Sequence, residues 1–280
     1  MTDVRAGGLH EAIARLVDAY RRGMRLALLF DYDGTLVPLA AHPRMAVFDR
    51  RARQRLEDLA RLPFVYPGVL SGRSIDDLKH AVGIRGLYYS GTNGLELELD
   101  GVPIPPPDAE GAAFLVVTVA ERVRHALAGF SGAWVEQKPL GLTVHYRGVT
   151  PDRLDLLRAL VDRGVEPFEE KLCVVDGSMA VEITPDHGRT KGTALRMIVE
   201  HLGGDGVVPL YAGDAPNDAD ALSAAVALGG VAIAIGPQAP EAPHRLPGPA
   251  LLGRSIEALT KILACANARR SCPEAVSAID

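Results

Sequence analysis

The stretch LALLFDYDGTLVPL, residues 26–39, limits what this chain can fold into more than any other. Leu26 to Phe30 form an unbroken apolar run that ends on Asp31 and Asp33, with Gly34 and Thr35 directly after. A short apolar run closed by a turn signal reads as a buried strand, here over 25–31. Carboxylates at the end of such a strand are costly unless cations or hydrogen-bond donors answer them. In an extended chain, residues two apart point to one side, so Asp31 and Asp33 can converge on a single spot.

The flanking sequence repeats a strand–helix rhythm. Helices are expected over 9–22 and 49–62, and a second strand over 64–72, where Pro67 would sit best at an edge or a bulge. Ser74 with Asp76 and Asp77 reads as the capped start of a helix over 74–82. LYYSGTNGLELELDGVPI then gives short strands joined by turns. This alternation implies an α/β fold, a parallel sheet with helices on its faces. The proline run at 105–108 breaks the rhythm. After it come a helix (109–128), the strands AWVEQKP and LTVHYRG, a helix (151–163), and the segments VEPFEE, LCVVDG and MAVEIT, two αββ-like units in all. The rhythm resumes with a helix at KGTALRMIVEHL, a strand at VVPLYAGD, a helix over 217–228, a strand at VAIAIG, a Pro-rich loop over 237–250 and a last helix over 254–268. The expected division is a core of residues 1–105 and 184–280 with an inserted α+β module of residues 106–183.

In an open parallel sheet, ligands bind beyond the carboxyl ends of the strands. Asp31, Ser71 and Asp214 stand at three such ends, and Lys191 opens a helix whose dipole already favours an anion. Carboxylates of this kind hold Mg²⁺, while a lysine, a hydroxyl and backbone N–H groups hold phosphate oxygens. The composition admits this and excludes other classes. The chain is 48% hydrophobic, which rules out global disorder, and its net charge of −5 is spread along 280 residues, so neither nucleic-acid nor membrane partners are indicated. Cys173, Cys265 and Cys272 lack metal-ligand spacing. With no signal-peptide run near the N-terminus and no span-length apolar stretch, a reduced, cytoplasmic setting is expected.

The order D-x-D-G-T (31–35), S-G-R (71–73), K-G (191–192) and G-D-x-x-x-D (213–218) resembles the haloacid dehalogenase superfamily of phosphotransferases. P-type ATPases carry a lysine where Tyr32 stands, and dehalogenases lack the second aspartate. The resemblance implies a Rossmann-like parallel sheet core with an inserted α+β cap of the C2B type. It implies that Asp31 attacks phosphorus, that Asp33 is the acid and base, and that Ser71, Gly72 and Lys191 hold the phosphate. Mg²⁺ would be bound by Asp31, the carbonyl of Asp33 and Asp214. Asp218 would hold a metal-bound water or orient Lys191.

Three further stretches narrow the likeness. VEQKPLGLTVHYR (135–147), VEITPDHGRTKGTAL (181–195) and GTNGLELE (91–98) resemble conserved-pattern segments of trehalose-6-phosphate phosphatases. The implied sugar-binding residues are Glu136, Lys138 and Glu182, with Arg73, Asn93, His145 and Arg147 at the substrate site. The implied reaction is hydrolysis of a sugar phosphate, trehalose 6-phosphate first, with a functional link to a sugar-phosphate synthase. The chain departs from that pattern: Ala215 and Ala219 replace two acids, Asn217 replaces a threonine, Asn93 a histidine and Thr184 an arginine. Another glycosyl phosphate, such as glucosylglycerate phosphate, is the alternative substrate. A phosphomutase and a non-catalytic partner of a synthase are the alternatives of other classes.

Overall fold

In the computed structural model, residues 6–270 are described except 41, 43, 44 and 178. Cys272 and the first five residues lie outside the described residues. Strand β1 (Arg25–Phe30) sits at the centre of an eight-stranded sheet. In chain order the others are β2 (Val65–Leu70), β3 (Tyr88–Gly91), β4 (Glu96–Leu99), β5 (Val102–Pro103), β10 (Val207–Gly213), β11 (Val231–Ile235) and β12 (His244–Leu246). The sheet runs β12-β11-β10-β1-β2-β3-β4-β5, parallel throughout except at β4 and β5.

β1 is buried on both faces, which is why its sequence is continuously apolar rather than alternating. Leu26, Leu28 and Phe30 face one layer, built by α1 (Ala6–Arg21), α2 (Arg50–Ala60), α3 (Ile75–Val82) and α8 (Pro249–Arg270). Ala27 and Leu29 face the other, built by α6 (Lys191–His201) and α7 (Ala219–Ala227). Each fully buried leucine contributes about 1.5–3 kcal/mol of transfer free energy. The helix starts follow local chemistry: Asp49 Oδ1 accepts from Ala52 N at 2.7 Å, and Ser74 caps α3 through Asp77 N at 3.2 Å.

The segment between β5 and β10 builds a second, antiparallel sheet in the order β6-β7-β9-β8: β6 (Trp134–Lys138), β7 (Gly141–His145), β8 (Leu172–Gly177) and β9 (Ala180–Pro185). Helices α4 (Ala109–Ala126) and α5 (Leu154–Val165) cover one face with their own apolar cluster. Arg189 ties the two crossings between the sheets, donating to Ile104 O at 2.8 Å and Pro105 O at 3.0 Å.

Three expectations need correction. Pro67 lies in the sheet interior, between β1 and β3, not at an edge. Ser71 N–H donates to Ser90 O, so Pro67, four residues earlier, also faces β3, but pairing with β3 begins only at Gly68. The missing donor therefore falls ahead of the ladder. VEPFEE forms no strand: it ends α5 and continues in 3₁₀ turns to Lys171. The Pro-rich loop contains β12, an edge strand flanked by the prolines such a position tolerates.

Candidate active site

The carboxyl ends of β1, β2 and β10 deliver Asp31, Ser71 and Asp214 to one end of the parallel sheet, and α6 brings Lys191 there from the second layer. Lys191 is 2% exposed. Its Nζ donates to Asp31 Oδ1 at 2.8 Å and to Asp218 Oδ1 at 2.7 Å. Burial alone would push this ammonium's pKa down, but Asp218 and Asp31 outweigh it and raise the pKa above the ordinary lysine value. Asp31 shows the opposite balance: burial raises its carboxyl well above the ordinary range although Lys191 pulls it down.

Asp218 is fully engaged. Beyond Lys191, its Oδ1 accepts from Tyr211 OH at 2.6 Å, and its Oδ2 accepts from the N–H groups of Asp214 and Ala215, both at 2.9 Å. Its contact with Lys191 is one of its two expected roles, and its carboxylate also stands beside those of Asp31 and Asp214. Asp214 accepts from Thr35 Oγ1 at 3.3 Å. Burial first and the Asp218 charge second push its carboxyl up to about 7.

Asp31, Asp214 and Asp218 offer oxygens that all lie within 4.8 Å of one another. Buried carboxyls gathered this closely need a proton or a cation among them. An all-oxygen set of this charge suits a hard divalent ion such as Mg²⁺. Gly34 makes room: at φ +84°, where a side chain is strained, an added Cβ would lie 2.1 Å from Asp214 Oδ2 and would have to displace that carboxylate.

Asp33 leaves this cluster and turns to Arg73, which grips it bidentately, Nε to Oδ2 at 2.6 Å and Nη2 to Oδ1 at 2.8 Å. The guanidinium also lies over the Tyr32 ring, 4.8 Å from its centroid. Burial would lower its pKa, but the Asp33 hydrogen bonds raise it overall.

Asp31 and Asp33 line the floor of a cleft of about 420 Å³ between the two sheets, together with Ser71, Gly72, Arg73, Glu136, Lys138, His145, Arg147 and Glu182. Glu136 and Lys138 share one side of β6, as their spacing requires. Lys138 Nζ donates to Thr143 Oγ1 at 2.6 Å and reaches across to Gly72 O. Glu136 Oε2 meets His145 Nε2 at 2.7 Å. Burial works against the Glu136 charge, yet His145 and Lys138 hold its carboxyl below the ordinary range. Asn93 meets the cleft through Glu182, to which its amide donates.

A trehalose-phosphatase family model matches residues 29–239, which contain the whole antiparallel sheet, most of the parallel one and every site residue above. The chain belongs to the trehalose-phosphatase family. Curated relatives in that family include a trehalose-phosphate phosphatase of Mycolicibacterium paratuberculosis, 35% identical over 72% of this chain and 52% of the relative. Another, from Mycobacterium marinum, is 34% identical over 83% of this chain and 61% of the relative. The chain thus spans little more than half the length of these relatives. Among solved structures, the C-terminal domain of Candida albicans trehalose-6-phosphate phosphatase superposes with a TM-score of 0.78 at 21% identity, over 89% of this chain and 97% of that one. The C-terminal domain of the Candida albicans trehalose synthase regulatory protein does so with a TM-score of 0.69 at 14% identity, over 90% and 97%. At these identities the likeness is one of fold.

Within this trehalose-phosphatase family member, the sequence reading missed Trp134, Thr143 and Tyr211. Trp134 is stacked between two imidazoles, with ring centroids 4.1 Å from His145 and 4.9 Å from His42. Its period-two spacing from Glu136 and Lys138 was the available signal. Nothing local marks Tyr211, whose hydroxyl serves Asp218 from inside β10. No helix among the described residues is long and apolar enough to cross a membrane.

Proposed function

We propose that this protein hydrolyses a sugar phosphate, trehalose 6-phosphate before others, to the free sugar and inorganic phosphate. The observation that carries the reading is the single cleft whose floor holds Asp31 and Asp33 and whose roof holds Glu136, Lys138 and Glu182. Its volume suits a small-molecule ligand, for which clefts of about 300–1,000 Å³ are usual.

In this reading a carboxylate oxygen of Asp31 attacks phosphorus, and the bond from phosphorus to the sugar oxygen breaks. Asp33, released from Arg73 in its protonated form, gives its proton to that leaving oxygen. A water then attacks the aspartyl-phosphate and passes a proton to Asp33, the Asp31–phosphorus bond breaks, and phosphate departs. Lys191 holds Asp31 in place and offsets the charge of the approaching anion, while Asp218 holds Lys191. Mg²⁺, held by Asp31, Asp214 and the carbonyl of Asp33, would supply electrostatic stabilisation of the phosphoryl oxygens. Residues 106–183 act as the cap over a core of 1–105 and 184–280. Carboxylates on the cap accept from sugar hydroxyls and Lys138 donates to them, so binding of the remote sugar aligns the phosphate on Asp31.

A second reading, another glycosyl phosphate, draws support from Asn93 and Asn217, which stand where the family pattern has other residues. The free thiols of Cys173 and Cys265 suit a cytoplasmic setting. A synthase that makes the sugar phosphate is the matching functional partner. The test is inorganic phosphate release across trehalose 6-phosphate, glucosylglycerate phosphate and glucose 6-phosphate. Equal kcat/KM for trehalose 6-phosphate and glucose 6-phosphate removes the disaccharide reading, and a sugar-phosphate product without free phosphate points to a mutase.

A further inference from the structure

Glu182 stands on β9 of the antiparallel sheet, yet the side chains that hold it come from the parallel one. Asn93 Nδ2, in the turn after β3, donates to Glu182 Oε2, and Asn217 Nδ2, in the turn that opens α7, donates to the same oxygen at 3.2 Å. Asn217 Nδ2 also reaches Asn93 Oδ1 at 3.2 Å. Two amides and one carboxylate thus close a small ring across the boundary between the sheets.

The ring admits only one orientation of Asn217. Turned over, its oxygen would face the Glu182 carboxylate and the Asn93 carbonyl. The orientation it takes leaves Asn217 Oδ1 buried with no hydrogen-bond partner among the described residues. An unpaired buried acceptor is unfavourable, so the grip on Glu182 outweighs it. Asn93 is fixed as well: its backbone lies in the left-handed region at φ 55°, which asparagine tolerates better than most residues, and its N–H donates to Ser71 O at 3.0 Å. On the other side of the carboxylate, Glu182 Oε1 presses on Gly72, where an added Cβ would lie 2.5 Å from it. With Oε2 taken twice, Oε1 is the oxygen left for a ligand in the cleft that Glu182, Gly72 and Asn217 line.

We propose that Asn217 and Asn93 are the positioning pair that sets sugar selectivity here: they hold Glu182 Oε2 from the parallel-sheet side, so that Oε1 meets a hydroxyl of the leaving sugar only while the antiparallel sheet is seated. The inference rests on the sugar-phosphate reading above. Asparagine stands at both positions. The pair makes the one arrangement in which each asparagine supports the other as well as the glutamate.

Steady-state phosphate release from trehalose 6-phosphate tests the pair. Asn217→Asp sets a carboxylate against Glu182, and KM should rise about tenfold or more while kcat changes less than roughly threefold, the signature of lost binding rather than lost chemistry. Combining Asn217→Asp with Glu182→Gln reverses the ring: with the Asn93 amide turned over, the glutamine amide donates to Asn93 Oδ1 and to the aspartate, Asn93 Nδ2 donates to the aspartate, and much of the lost KM should be recovered. Asn217→Ser, which keeps one donor, should fall between wild type and Asn217→Asp, and it carries the test if the aspartate variant does not fold. A KM within about twofold of wild type in both single variants overturns the inference. So does a loss confined to kcat that tracks the folded fraction, or a double variant no better than Asn217→Asp. If the wild type prefers another glycosyl phosphate, the choice of sugar falls but the pair is read on that ester by the same variants, where unchanged KM overturns it.

Discussion

Replacing Lys191 with Met would remove one buried cation and leave its space almost filled. The side chain is 2% exposed, with Nζ 2.8 Å from Asp31 Oδ1 and 2.7 Å from Asp218 Oδ1. Breaking a buried ion pair by deleting one partner costs about 3–5 kcal/mol, because the other charge stays buried and unanswered. Asp218 keeps Tyr211 OH and two backbone N–H groups, so the loss falls mainly on Asp31 and sits near the lower end, about 3 kcal/mol. For a chain of this size that is a drop in Tm of about 6–12 °C. The sign with pH follows from Asp31. Its folded pKa already lies above the ordinary value of 3.8, and losing Lys191 raises it further. Such a group contributes stability that is present below its unfolded pKa and lost as pH rises through the folded one. The deficit of Lys191→Met should therefore be smallest near pH 3.8 and grow toward neutral and alkaline pH. Urea unfolding of both proteins in chelator across that range measures it. A deficit that does not change with pH, or no deficit at neutral pH, would refute the argument.

Asp31→Asn should keep the fold and lose turnover by about 10³-fold or more, read as phosphate release, because an amide cannot attack phosphorus. Mg²⁺ should raise Tm, and more so above pH 7 than below it, since Asp214 titrates at about 7 and its proton competes with the ion; a thermal melt with and without Mg²⁺ at the two pH values decides this. Ca²⁺ should inhibit, because it takes more ligands and suits a different geometry, and activity that survives exhaustive chelation would count against a metal. Glu136→Ala and Lys138→Ala should each lower kcat/KM for trehalose 6-phosphate by the equivalent of about 1.5–3 kcal/mol, the worth of a charged hydrogen bond. An equal loss on p-nitrophenyl phosphate would show that neither residue reads the sugar.

The residues at strand ends were legible because the strands themselves announce them. An apolar run that stops on Asp31, and again on Asp214, leaves few places for a carboxylate except the end of a parallel sheet. The pairing of Glu136 with Lys138 followed from a period of two. What stayed hidden depends on distant chain segments. Nothing local says that Arg73, forty residues after Asp33, will grip it with both nitrogens, or that Tyr211 and two backbone amides will use up Asp218. Pro67 misled because edge preference was applied without knowing where β3 begins. The Pro-rich loop hid β12 because three residues are too few to carry a pattern.

Trp134 is the chain's one tryptophan, and its indole lies between the imidazoles of His42 and His145. The indole emission of this protein therefore comes from a single place at the wall of the cleft. One flanking ring, His145, travels with Trp134 on the same sheet, while His42 belongs to the segment that follows β1. Parting the sheets would separate the indole from one stacked ring and leave it against the other, and so change the surroundings that set its emission. Opening, closing and the arrival of a ligand are thus written into the intrinsic fluorescence of the unlabelled chain, where a stopped-flow instrument can time them before any phosphate is released.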